Sequence, residues 1–174
     1  MKIREEVKAG RITIEPFDDD SVNPNSYNYH LSPQLKRLLS TTIDCRGDDV
    51  FETIVIPDSW AVLLPGECYL GSTVEWFSTD HYACLITGRS SIGRKFITNH
   101  ITAGLIDQGF AGNITLEITV QRPTRVYASM PFGQILWFTT VGPSSLYDGK
   151  YREQRGATPS RLKKDWEDNQ GDEQ

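Results

Sequence analysis

The sequence predicts an all-β domain, a distorted jelly roll or β-barrel. Three observations carry that prediction. Short apolar or alternating runs recur at close intervals, at residues 11–16, 27–31, 52–56, 60–64, 68–73, 82–86, 97–102, 114–120, 125–127 and 134–139. Pro16, Pro57, Pro65-Gly66 and Gly88 punctuate them. Helical periodicity is confined to residues 2–10, with Gly10 as the stop.

Each element has its own reason. After the short amphipathic helix and first strand, Asp18-Asp19-Asp20 and Asn23-Pro24-Asn25-Ser26 are turn chemistry. Adjacent aspartates point apart, so a solvated loop is expected there rather than a metal site. Residues 35–49 carry a poor signal, a polar excursion with no clear period. The run at 68–73 is expected to end before Glu75-Trp76-Phe77. Ile114, Leu116, Ile118 and Val120 alternate with Thr115, Glu117 and Thr119, the mark of a half-buried strand. Its aliphatic set faces a core, so Glu117 faces a surface or a cleft. Upstream, three glycines frame Asp107 between residues 103 and 112, which predicts a strand–turn–strand with Asp107 near the turn. Asp107 and Glu117 then converge, or form a plain solvated hairpin.

Composition narrows the function. The chain has 174 residues and a net charge of −5, which argues against nucleic-acid binding as its main business. One domain is expected over residues 1–165, followed by a charged, disordered tail at 166–174. Cys45, Cys68 and Cys84 are isolated and odd in number, which fits a reducing compartment. No signal peptide or membrane-length apolar run is visible, so a cytoplasmic protein is expected. Residues 147–161 mix tyrosines and basic side chains, the character of an ordered segment that closes over an anionic ligand.

The reactive residues are densest from Gly88 to Val120. Gly88-Arg89-Ser90-Ser91-Ile92-Gly93-Arg94 reads as a strand end opening into a short helix capped by Ser90 or Ser91, with N–H groups free for anions. A zinc deaminase would need His-x-Glu and Cys-x-x-Cys, and neither occurs. Walker, dinucleotide and nucleophile-elbow motifs are also missing. His100 is read as a buried, hydrogen-bonded histidine rather than a base for a serine. What remains is Glu117, Asp107, Ser90, Arg94 and basic cover residues, which suits proton transfer beside a polyanion.

The segments 88–94, Thr102-Ala103-Gly104-Leu105-Ile106-Asp107-Gln108-Gly109-Phe110 and Ile114-Thr115-Leu116-Glu117 together resemble the dCTP deaminases of the dUTPase-like superfamily. Gly133-Gln134, residues 150–161 and the N-terminal Gly10-Arg11-Ile12-Thr13-Ile14-Glu15-Pro16 extend the likeness to residues 1–165. The resemblance implies a dUTPase-like fold with a C-terminal closing segment, a homotrimer and sites at subunit interfaces. It implies zinc-free hydrolysis of dCTP to dUTP and ammonia, supplying uridine nucleotides for dTTP synthesis, with Mg2+ carried on the triphosphate and dUTP and dTTP as further ligands, the latter an inhibitor. Glu117 would be general base and acid, Ser90 and the Ala103 carbonyl would hold the water, and Arg94 would tune Glu117. Arg89, Ser91, Ile92 and Gly93 would bind phosphate. Thr115 and Leu116 would line the base pocket, and Gln134, Tyr147, Lys150 and Gln154 would contact the nucleotide. The Ala103–Asp107 run resembles the bifunctional version, in which Asp107 activates water against the α-phosphate and dUMP and pyrophosphate result. The main reading is release of dUTP, and the bifunctional reaction is its alternative; a dUTPase alone or a non-catalytic nucleotide-binding module stand behind them.

Overall fold

The computed structural model describes residues 2–142 and 145–168. In chain order they form α1 (Lys2–Lys8), β1 (Thr13–Glu15), a 3-10 turn (Asp19–Ser21), β2 (Tyr27–His30), β3 (Gln34–Leu38), β4 (Phe51–Val55), β5 (Ala61–Leu63) and β6 (Tyr69–Ser78). Then come β7 (Ala83–Gly88), α2 (Ser90–Gly93), β8 (Ile97–Thr98), β9 (Leu105–Ile106), β10 (Ala111–Val120), β11 (Thr124–Val126), β12 (Pro131–Phe138) and α3 (Leu162–Asp168).

Strands dominate, as expected. α1 stops because Gly10 takes a left-handed φ of 71°, a conformation glycine adopts without strain. One sheet runs β4-β3-β6-β10-β8, with β1 also on β6; a second runs β2-β12-β7-β9; β5 and β11 pair alone. The ladders are antiparallel, and the sheets do not close into a barrel. The core lies where their inner faces meet: Tyr27, Tyr29, Leu31, Leu35, Leu116, Ile118, Phe132 and Ile135 are fully buried. Burying that apolar surface supplies the main drive for the fold.

Several sequence expectations shift. Residues 34–38 form β3, which runs into the stretch from residue 35 where the signal was poor, because pairing to both β4 and β6 overrides a weak local period. β6 continues through Trp76 and Phe77, since β1 and the start of β10 both pair there. The strand expected over 97–102 is limited to Ile97–Thr98, beyond which no ladder partner continues. Asp19 is not merely solvated: it pairs with Arg4 at 2.5 Å, tying the turn to α1. Residues 166–168, expected as the start of a tail, complete α3. The remaining tail, 169–174, lies outside the described residues.

A bulge interrupts β10 near its start and sets the register of its second half. The pairing with β6 slips between Asn113 and Thr115. The Asn113 amide reaches the carbonyls of Thr73, Val74 and Glu75 at 3.3, 3.3 and 3.0 Å, filling the irregularity. Beyond it, the strand alternates without fault: Ile114, Leu116, Ile118 and Val120 are buried, and Thr115, Glu117 and Thr119 look outward.

Candidate functional site

The outward face of β10 is half-buried. Chain from 145 to 161 crosses it and forms one wall of an open cavity of about 420 Å³. The cover is stitched down residue by residue. Gln154 makes a parallel bridge to Gly112, and its side chain donates to Asn113 O at 2.8 Å. Glu153 N donates to Ala111 O at 2.6 Å. Thr158 N donates to Thr115 Oγ1 at 3.1 Å. Arg155 stacks over Trp76, 3.7 Å from the ring centroid. At the near end, Tyr147 N donates to Gln108 O at 2.7 Å, and the Tyr147 hydroxyl accepts from Tyr151 N at 3.1 Å. This is the closing segment that residues 147–161 led us to expect.

Glu117 and Asp107 both line the cavity, Glu117 half-buried and Asp107 exposed at its edge. Asp107 follows β9, which is hydrogen-bonded to β7 and not to β10, so the two carboxylates do not come from a simple strand pair. Ala103, Thr115, Tyr147 and Gln154 line the same cavity, as the sequence suggested. The Thr115 hydroxyl, expected to face a base, is engaged by Thr158 N and lies 3.4 Å from Gln154 Nε2. It therefore anchors the cover in this state.

His100 is the residue whose role the sequence left open. Its side chain is largely buried, as expected, but neither ring nitrogen has an aligned hydrogen bond among the described residues. Instead Nδ1 lies 2.7 Å from Glu117 Oε2, an ion-pair distance out of line for a hydrogen bond. Ile101 N also donates to Glu117 Oε2, at 3.2 Å. Burial pushes the Glu117 carboxyl up, but His100 and the Ile101 N–H pull it further down, and it ends below its ordinary value. The carboxylate in turn holds the His100 imidazole above its ordinary value, against burial. No spacing rule connects position 100, in a loop, to position 117, in a strand; only the fold does. Tyr151 and Thr158 also line the cavity and were legible only as parts of a closing segment.

The remaining expected residues sit elsewhere. α2 is a single turn whose N-cap is Arg89, with no side-chain cap bond, so neither serine caps it. Four residues align little dipole, and the turn offers backbone N–H groups more than a macrodipole. Ser90, Ser91, Gly93 and Arg94 are exposed, and none of them, nor Arg89, lines the cavity with Glu117. Arg94 thus does not tune Glu117 within one chain; His100 does. Ile92 and Leu116 turn their side chains into the core, because each falls on the buried face of its element. They can serve a ligand only through their backbone. Gln134 pairs with Thr87 beside α2 and donates to Asn28 Oδ1 at 3.2 Å. Lys150 points away to Asp165, 2.6 Å from both carboxylate oxygens. One chain therefore carries two separate clusters: a cavity lined by two carboxylates, and an exposed turn with hydroxyls and arginines. Among the described residues no cluster of three or more His, Cys, Asp or Glu side chains could hold a metal, and no helix is long and apolar enough to cross a membrane.

A sequence profile described as dCTP deaminase-like matches residues 1–140. A protein of Leptospira biflexa named "dCTP deaminase, dUMP-forming" is 43% identical over 157 residues, covering 90% of each chain. One of Clostridium botulinum with the same name is 41% identical, covering 90% of this chain and 91% of its own. Among solved structures, the 2'-deoxycytidine 5'-triphosphate deaminase of Agrobacterium tumefaciens superposes with a TM-score of 0.64 at 22% identity. That likeness of fold covers 80% of this chain and spans only 47% of the longer one.

Proposed function

The chain belongs to the dCTP deaminase-like family, and on that premise we propose that it deaminates dCTP and carries the product on to dUMP and pyrophosphate under one cover. The observation that carries this is the shared cavity of Glu117 and Asp107. The dUMP-forming names of the relatives favour it over simple release of dUTP, which was the main sequence reading.

In the first step Glu117 takes a proton from a water that attacks C4 of cytosine, and that proton passes to N3. Glu117 then takes the proton of the new C4 hydroxyl and hands it to the amine. The C4–N bond breaks, C4–O becomes a carbonyl, and ammonia leaves. An ionised Glu117, held below its ordinary value, starts this sequence as the base. In the second step Asp107 takes a proton from a water that attacks the α-phosphorus. The bridging α–β P–O bond breaks, giving dUMP and pyrophosphate. Ala103, beside His100 in the cavity, holds the first water through its carbonyl. Tyr147 and Gln154 face the nucleotide. The substrate arrives as its Mg2+ complex, with the ion held mainly by phosphate oxygens.

The hydroxyl and arginine half-site (Arg89, Ser90, Ser91, Gly93, Arg94, with Gln134 beside it) comes from a neighbouring copy in a homotrimer. The separation of the two clusters on one chain supports this, and so do exposed apolar side chains nearby in sequence: Phe96, Ile101 and Leu105 are 70%, 61% and 66% exposed.

Product analysis tests the reading. With Mg2+ and dCTP, ammonia, dUMP and pyrophosphate should appear in step, with little free dUTP. If dUTP accumulates one for one with ammonia and added dUTP is left untouched, the second step is wrong. Absence of ammonia removes the deaminase reading altogether.

A further inference from the structure

Between β8 and β9 the chain from 99 to 104 has no ladder of its own, yet it carries His100, the Ile101 N–H and Ala103 to the cavity. Something must hold it. At its far end Gly104 O accepts from Ile86 N at 2.8 Å. At its near end stands Asn99, only 5% exposed. Its amide donates to the Tyr29 hydroxyl at 2.8 Å and to Phe132 O at 3.2 Å. Tyr29, fully buried on β2, donates in turn to Thr87 O on β7 at 3.3 Å. A Cβ on Gly133 would overlap the Tyr29 hydroxyl, so that glycine on β12 exists to let the contact form. A Cβ on Gly88 would come within 3.2 Å of Asn99 Oδ1, so the same side chain packs against the residue leading into α2. A buried amide and phenol are expensive in a sheet core unless satisfied, and an apolar pair would fill the space at less desolvation cost.

We infer that Tyr29 and Asn99 are positioning residues: a buried polar brace that pins the 99–104 segment so that the Ile101 N–H and His100 meet Glu117 at working distance. Neither touches the substrate; both act through that segment. Because Asn99 also packs on Gly88, the brace sets where the exposed turn stands relative to the carboxylate on the same chain. This rests on the deaminase reading of the cavity.

The test uses Tyr29→Phe, Asn99→Ala and the double variant in the full chain, with kcat and KM for ammonia release measured well below each variant's melting temperature. The wild type first shows whether the deaminase reading holds at all; without its ammonia release, that reading fails and not the brace. Given activity, each single variant should lose kcat about tenfold with KM changed less than about threefold, the size expected when one hydrogen bond to a charged group goes out of line. The acid limb of the kcat/KM profile should move up in pH as Glu117 loses the Ile101 N–H. The double variant should lose no more than the worse single one, because the brace acts as one unit. If Tyr29→Phe does not fold, Asn99→Ala gives the same readout. Folded variants with kcat within twofold of wild type and an unmoved acid limb would overturn the brace.

Discussion

At the scale of single residues the decisive pair is His100 and Glu117. Glu117 lies below its ordinary 4.5, so its share of stability is present above that value and lost as pH falls through the folded value. His100 lies above its ordinary 6.5, so its share is full below 6.5 and lost as pH rises through the folded value. The pair is therefore strongest between about 4.5 and 6.5. Thermal melts of wild type and His100→Leu should differ most between pH 4.5 and 6.5, and the gap should narrow as pH rises above 6.5 through the folded value. A gap that widens with pH would show that the imidazole is neutral in the fold. The same substitution should raise the acid limb of kcat/KM, because Glu117 loses its cationic neighbour. Glu117→Gln should cut ammonia release by about 10²–10⁴, the usual worth of a positioned general acid–base, while Asp107→Asn should leave ammonia release and stop dUMP formation.

At the scale of elements, the cover and the β10 bulge belong together. Thr115 stands just past the bulge and accepts from the cover. Replacing it with valine removes the acceptor at nearly constant volume. The cover should loosen by about 1 kcal/mol, read as faster hydrogen exchange across residues 147–161, and KM should rise more than kcat falls. Unchanged exchange there would mean that Gln154 and Arg155 hold the segment alone. This element was legible in part. The alternation of residues 114–120 announced both the core face and the outward Glu117, because period two is written in the side chains themselves. The closing segment was legible from its mixture of tyrosine and basic residues. β3 was not, since its pairing to β4 and β6 is long-range and leaves no local mark. Ile92 and Leu116 were counted with their functional neighbours because motif matching ignores which face a residue takes.

At the scale of the whole molecule, the proposed sharing of the site between copies can be tested directly. Mixing Glu117→Gln with Ser90→Ala, each inactive alone, should restore activity in re-formed trimers. If each site takes its carboxylate from one copy and its serine from the next, about one quarter of sites in an equal mixture are intact. No recovery would return both half-sites to one chain, and a monomer by light scattering at working concentration would do the same. The family and fold were legible because several motifs agreed along the chain; sites shared between copies were expected from the family resemblance alone, because sequence gives adjacency along the chain and not which copy supplies a neighbour.

The Gly112–Gln154 bridge and the Thr158 contact lay a strap over the room that holds both carboxylates. If both reactions run beneath it, the uracil triphosphate is never a solute. It has a dwell time instead of a concentration, and polymerases in the surrounding medium have nothing to sample. The lifetime of a few hydrogen bonds then decides how much of the mutagenic intermediate escapes.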